Sequence, residues 1–389
     1  MKHLPFKEAE YNRRVRLVKE QMDRRGIELL LVLDPSHMNY LCGFDGWSFY
    51  VHQGLIISLK EEHPLWFGRM QDSNAARMTT YLPNDNIYGY KDEYVQSRYI
   101  HTMEFVATLM KGRGNTLAME MDGYWVTPKM YFTLQKELPY LQIVDAQNLV
   151  GWVKTVKVEE EIAYIKEAGR ITVNAMNTAL STIKEGVAER EVAALVSAQQ
   201  IRGTDTYGGD SPAIFPIIPS ELRTSSAHLT YAPDRTYKKN DVVLLELGSA
   251  RHHYHAPLSR TLYIGEPPKD LQHVSDVVVN GLRKTLSKIG PGLMAEEVEA
   301  IWREQLVGTG IEKPSRVGYS FGLAFVPDWG EHTVSLRPGD KSVLTKGMTI
   351  HFMPGIWLDT YGFECSEPFL VTENGCEKII EYRQELFVI

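Results

Sequence analysis

The sequence predicts a two-domain chain: an α/β domain over residues 1–155, then an α+β domain over residues 156–389. Three observations carry this. Strand-like and helix-like runs alternate through the first part, as in a sheet covered by helices. A charged junction, Val153–Glu160 (VKTVKVEE), opens directly into a long helical stretch. Beyond it, two similar helix–glycine–helix segments stand 106 residues apart.

In the first domain, Glu8–Arg25 reads as an amphipathic helix with Val15, Val18 and Met22 on one face. Leu29–Leu33 is a buried strand that stops at the turn residues Asp34, Pro35 and Ser36. Further strand-like runs fall at Gly54–Leu59 and Leu117–Met119, with a helix over Ile100–Lys111 before the latter. In the second domain Glu160–Ile183 forms the long helix. Leu180–Gly186 followed by Val192 then matches Leu286–Gly292 followed by Val298, with new helices beginning near Glu189 and Glu296. The domain reads as two related α-α-β-β halves.

Composition narrows the function. The chain has 389 residues, 43% hydrophobic and 23% charged, which suits a globular protein with a sizeable core. A net charge of −7 gives no general pull toward nucleic acid or anionic membranes. Cys42, Cys365 and Cys376 show no CxxC spacing, the pattern of a reducing compartment. The N-terminus lacks the apolar core of a signal peptide, and no run approaches the roughly 18–20 apolar residues of a membrane span. A cytoplasmic protein with no nucleic-acid or membrane partner is expected.

The chemistry concentrates in Val242–Ile264. An apolar run ends in a carboxylate, Glu246, followed by Gly248, a polar turn, Tyr254, and Arg260-Thr261. Glu246 is either catalytic or an internal ion-pair partner, with Arg260 the nearest candidate, because an unpaired buried carboxylate is costly. His252, His253 and His255 look like a metal cluster, but alternation along a strand puts His253 and His255 on one face and His252 on the other. A surface turn explains them better. His228 lies in RTSSAHLTYAP, and an imidazole is a side chain suited to proton transfer.

This segment resembles the metal-binding hairpin of the creatinase/prolidase/methionine aminopeptidase family, the M24-like "pita-bread" enzymes. The resemblance implies a C-terminal pita-bread domain, a curved antiparallel sheet flanked by two helix pairs, behind a creatinase-like N-terminal domain. Metal-dependent members carry Asp where this chain has Glu246, and a second Asp eleven residues on, where it has Pro257. The family's His corresponds to Tyr319 in GYSFG, its first Glu to Met353, and its last Glu to Ser366 or the adjacent Glu367. Divalent cations need a convergent His/Asp/Glu set. The fold is expected without the metals, and no cofactor is expected.

Creatinase itself is not matched. Its Glu before the Arg-Thr is Ser259 here, and its Glu before the Pro of the E-P strand is Met353. DGWSFYVHQ, FGRMQD, TSSAHLTY, LLELGSARHHYH and GYSFGLAF together resemble the ectoine hydrolases over nearly the whole chain. That resemblance implies hydrolytic opening of a cyclic amidine, ectoine or hydroxyectoine, to N-acetyl-L-2,4-diaminobutyrate. Glu246 would attack C2 or activate water, and His228, a pocket His in the family, would be the acid. The amidinium would meet aromatic Tyr254, Tyr319, Trp329 and Trp357, with Glu364 and Glu367 as counter-charge, unless Glu367 simply pairs across the sheet. Trp47, Phe49, Tyr50, His52, Gln53 and Arg69 would bind substrate from a neighbouring subunit, because family members are usually homodimers whose first domain completes a partner's site. The substrate would be a small zwitterion. The rival readings are another metal-free C–N hydrolase of the creatinase type, a metal-dependent Xaa-Pro dipeptidase and a non-catalytic scaffold.

Overall fold

A computed structural model describes residues 4–389, in two compact units that divide between Lys154 and Thr155.

The first unit is a mixed six-stranded sheet covered by helices. Its strands are β1 (Leu29–Val32), β2 (Gly54–Ser58), β3 (Leu65–Arg69), β4 (Ile87–Tyr90), β5 (Thr116–Met119) and β6 (Gln142–Asp145), in the order β4-β3-β2-β1-β5-β6. Central β1 is buried along its whole length, antiparallel to β2 and parallel to β5. The helices are α1 (Glu8–Arg24), α2 (Pro35–Cys42), α3 (Ser73–Thr79), α4 (Thr102–Met110), α5 (Pro128–Glu137) and α6 (Leu149–Lys154). On α1 the apolar face is Val15, Val18 and Met22, all buried. The Asp34 carboxylate caps α2 by accepting from the Ser36 N–H at 2.7 Å, which ends the chain's run along β1.

The second unit has a pita-bread fold. Helices α7 (Glu159–Thr182) and α8 (Glu189–Arg202) precede the hairpin β7 (Val242–Arg251)–β8 (Tyr254–Tyr263). Helices α9 (Lys269–Leu286) and α10 (Ala295–Arg303) precede β9 (Gly318–Phe321), β10 (Gly330–Ser335), β11 (Thr349–Phe352), β12 (Ile356–Trp357), β13 (Gly362–Phe363), β14 (Glu367–Val371), β15 (Cys376–Lys378) and β16 (Phe387–Val388). The larger sheet runs β10-β9-β11-β14-β15, and β16-β8-β7 form a second.

The internal repeat is physical. Gly186 and Gly292 both take left-handed backbone, φ +85° and +93°. The Gly186 N–H donates to Tyr237 O and the Gly292 N–H to Leu344 O, each at 2.9 Å. Each helix–turn–helix is thus tied to a later segment of its own half. A side chain is strained at both positions, so Gly186→Ala and Gly292→Ala should each cost about 1–2 kcal/mol. Denaturant midpoints of the two variants check this; unchanged midpoints would refute the strain.

Candidate active site

The hairpin register decides which side chains meet. Glu246 pairs with Ser259, Gly248 with Pro257, and Ala250 with His255. Directly opposed residues share a face, so Glu246, Ser259, Pro257 and His255 lie on one side of β7–β8. Tyr254 and Arg260 lie on the other.

Two expectations are corrected by this alternation. Tyr254 is not beside Glu246: its hydroxyl donates to Glu161 at 2.8 Å and its ring stacks on Tyr164 of α7. Glu367 is not free to meet a ligand: it pairs with Arg260 at 2.6 Å, both side chains fully buried. Arg260 therefore neutralises Glu367 and not Glu246. The histidines divide differently as well. His252 and His253 form the two-residue turn, with φ +49° and +62°. His255 is buried on the Glu246 face, its Nε2 accepting from the Ala213 N–H at 2.9 Å.

Strands β9 and β11 supply the facing residues. Tyr319 sits opposite His351 in the ladder, the rings meeting edge to face at 5.4 Å. The Trp329 Nε1–H donates to the Tyr319 hydroxyl oxygen at 2.8 Å. A Cβ at Gly248 would lie 2.8 Å from the Trp329 ring, so only glycine leaves room for the indole beside Glu246. His351 Nδ1 lies 3.1 Å from the Tyr319 oxygen and its Nε2 2.7 Å from Ser366 Oγ. Ser366 Oγ accepts from the Ser259 N–H at 2.7 Å, which returns the network to β8. Arg316 lies over the Tyr319 ring, its guanidinium 4.4 Å from the centroid.

Charge in this cluster is unbalanced. Burial, then the charges of Glu364 and Asp328, push the Glu246 pKa well above the usual carboxylate range. Glu364 is fully buried, neither oxygen has a hydrogen-bond partner, and burial lifts its pKa to about 7. Lys313, the neighbouring Ser259 hydroxyl and Arg260 draw it back only part of the way. The Lys313 ammonium is engaged with Gly355 O and Ser315 Oγ, and lies 4.7 Å from the Trp357 ring centroid. Burial opposes ionisation of Asp328 too, but His332 at 2.8 Å and the Gly330 N–H at 2.9 Å keep its pKa below the ordinary value. Burial, then the charges of Arg316 and Arg260, lower His351 to about 3, so its imidazole is neutral near pH 7.

Glu246, Tyr319, Trp329 and Glu364 are thus brought into one cluster. Ser366, marked in the sequence only as a family ligand position, belongs to it as well, with His351, Lys313 and Asp328, which the sequence did not mark. His351 carried a readable signal: it lies two residues before Met353 in an apolar strand, hence on the same face. His228 stands exposed on the turn after the 3-10 helix Glu221–Ser225, with no hydrogen bond to the cluster.

In the first unit, Trp47 and Tyr50 are 68% and 60% exposed, and Phe49 bridges Trp47 and Trp125. Burial lowers His52 to about 4. Gln53 is buried with neither amide atom hydrogen-bonded. Arg69 is already engaged, by Asp92 at 2.6 Å and the Tyr50 hydroxyl at 3.3 Å.

The donor set does not fit a two-metal centre. Of the positions where the family resemblance places ligands, Pro257 and Met353 offer no hard donor. Tyr319 and Ser366 are committed to Trp329 and His351. Among the described residues, no three His, Cys, Asp or Glu side chains converge as a metal-holding group. No described helix is long and apolar enough to cross a membrane.

Comparison with known proteins agrees with the architecture. Residues 163–373 match metallopeptidase family M24, and residues 14–156 match the creatinase/prolidase N-terminal domain. The ectoine hydrolase of Halomonas elongata is 37% identical, covering 99% of this chain and 98% of its own. An uncharacterized hydrolase/peptidase of Sinorhizobium fredii is 38% identical over the full length of both. The crystal structure of the prolidase from Pyrococcus horikoshii superposes with a TM-score of 0.81 at 22% identity, over 96% of this chain and 99% of that one.

The buried Glu364 makes a testable claim on stability. Its folded pKa, about 7, is above its ordinary 4.5, so its contribution is fully present below 4.5 and lost as pH rises through 7. That interval corresponds to on the order of 3 kcal/mol. Glu364→Gln should therefore gain stability relative to wild type between pH 5 and pH 8, read as a widening difference in Tm. A difference that stays flat or narrows would contradict this charge state.

Proposed function

The chain belongs to metallopeptidase family M24, and we propose that it is a hydrolase that opens a cyclic amidine, ectoine, to N-acetyl-L-2,4-diaminobutyrate without a metal. One observation carries the proposal. Glu246 and Glu364 are two buried carboxylates without a protein cation to neutralise both. An amidinium spreads one positive charge over two N–H donors, which suits a carboxylate pair. The aromatic faces of Tyr319 and Trp329 beside Glu246 favour the same delocalised cation. A dimetal centre would repel it.

In the free protein, burial favours the protonated form of both carboxylates. An arriving amidinium favours proton loss, so Glu246 is ionised when chemistry begins. Glu246 then either bonds to the electrophilic C2 or takes a proton from the water that does. In both routes water is added across the C2–N bond: oxygen ends on C2 as the amide carbonyl, and the departing ring nitrogen gains a proton. His228 is the candidate acid drawn from the sequence, and in that role its exposed turn must reach the ring.

The substrate carboxylate needs a cation, and Arg316, above the Tyr319 ring, fits that task better than Arg69, which Asp92 already occupies. In the proposed enzyme, Trp47, Phe49, Tyr50, His52 and Gln53 serve the site of a second copy of the chain. The exposure of Trp47 and Tyr50 supports that role.

Proton NMR of ectoine with chelator-treated protein tests the reading. The C2 methyl signal should be replaced by an acetyl methyl signal without added metal. No reaction, with prolyl dipeptides cleaved only after a divalent metal is added, would overturn it. Glu246→Gln should lower kcat by roughly 10²–10⁴-fold. Arg316→Gln should raise KM for ectoine while leaving turnover of the same ring without its carboxylate unchanged; equal losses on both would remove Arg316 from the site.

A further inference from the structure

We propose that Tyr319 protonates the departing ring nitrogen, its hydroxyl hydrogen aimed into the site because Trp329 and His351 both donate to its oxygen. This rests on the amidine-hydrolase reading and assigns the acid within it to a residue already beside Glu246.

The argument begins at Ser366. Its buried Oγ has two neighbours: the Ser259 N–H at 2.7 Å and His351 Nε2 at 2.7 Å. A backbone N–H can only donate, so the Ser366 hydrogen has one acceptor available, Nε2. The opposite assignment would leave a buried hydroxyl hydrogen unpaired, which costs about 1–3 kcal/mol. With Nε2 accepting, the proton of the neutral imidazole sits on Nδ1. Nδ1 lies 3.1 Å from the Tyr319 oxygen and donates to it. The Trp329 indole, a donor only, approaches the same oxygen at 2.8 Å. Both acceptor positions of the phenol oxygen are then filled, and its own hydrogen must leave toward another acceptor. The Glu246 carboxylate is near enough for its charge to act on the Tyr319 hydroxyl, so an acceptor is available to that hydrogen on the Glu246 side of the site.

The same arrangement suits proton delivery. Burial, then the charge of Glu246, raise the Tyr319 pKa well above that of an ordinary phenol, so it holds its proton at neutral pH and gives it up only to a nitrogen made strongly basic as the C2–N bond breaks. The phenolate that forms keeps two fixed N–H donors, as an oxyanion does in a preorganised hole. In the water route, Glu246 takes a proton as the water oxygen bonds to C2. The C2–N bond breaks as Tyr319 gives its proton to the nitrogen. The phenolate then recovers the proton that the C2 hydroxyl loses on becoming the amide carbonyl, and Glu246 returns the water proton to the released amine, which leaves as ammonium. His351 and Ser366 are positioning residues in this scheme, since they act only through the Tyr319 oxygen.

Two measurements test it. Nitrogen-15 NMR of histidine-labelled protein, with the signal assigned by His351→Gln, should show His351 protonated on Nδ1 at neutral pH. Ser366→Ala should give a mixture of tautomers and a kcat between wild type and Tyr319→Phe, with KM little changed. Tyr319→Phe should lose roughly 10²–10³-fold in kcat while its unfolding midpoint and KM stay near wild type. An Nε2-protonated His351 would overturn the proposal, because Tyr319 would then donate to His351 and not into the site. Wild-type kcat in Tyr319→Phe would overturn it as well while leaving the amidine reading intact. If wild-type protein opens no amidine, that reading fails, and the tautomer still decides where the hydroxyl points.

Discussion

The register of β7 against β8 governs everything at this site. A two-residue turn at His252-His253 sets Glu246 opposite Ser259, and that pairing sorts the hairpin into a chemical face and a structural face. A slip of one residue would exchange them, burying Glu246 against the helices and turning Arg260 toward the site. The structural face closes with its own charges matched, Arg260 on Glu367. The chemical face keeps its carboxylates in excess. The contrast arises within a single pair of strands.

That excess has a direct electrostatic consequence. Like charges held close in a poor dielectric disfavour ionisation, and the pKa values of both carboxylates lie above the ordinary range. Tyr319 and Ser366 take two of the vacated ligand positions and tie themselves, through His351 and Trp329, into a neutral hydrogen-bonded network.

The fold was legible because its signals are local and repeated: apolar faces at helical spacing on α1, buried runs at β1 and β5, and glycines at 186 and 292 that the turns require. Glu246 was legible because a carboxylate among leucines demands a reason. Tyr254 and Glu367 were misplaced because facing in a hairpin depends on turn length and pairing, and residue spacing alone does not supply them. His255 was assigned to a surface turn, whereas the turn ends at His253. His351 was overlooked although its parity with Met353 was readable. Lys313 could not have been found: it comes from a loop after α10, and only the folded chain brings its charge to bear on Glu364. The exposure of His228 likewise has no local sequence signal.

The unmatched carboxylates also bear on how long each molecule survives. A site that holds like charges apart only by protonating them lowers the stability of the empty protein, and a bound cation relieves that strain. Binding linkage then makes the folded population depend on ligand supply. When the cation is abundant the protein is held folded. When it is exhausted the protein opens more often, and opened chains are the ones that proteases remove. In the proposed enzyme, the electrostatic imbalance that selects the substrate would thereby also tie the folded population to substrate supply.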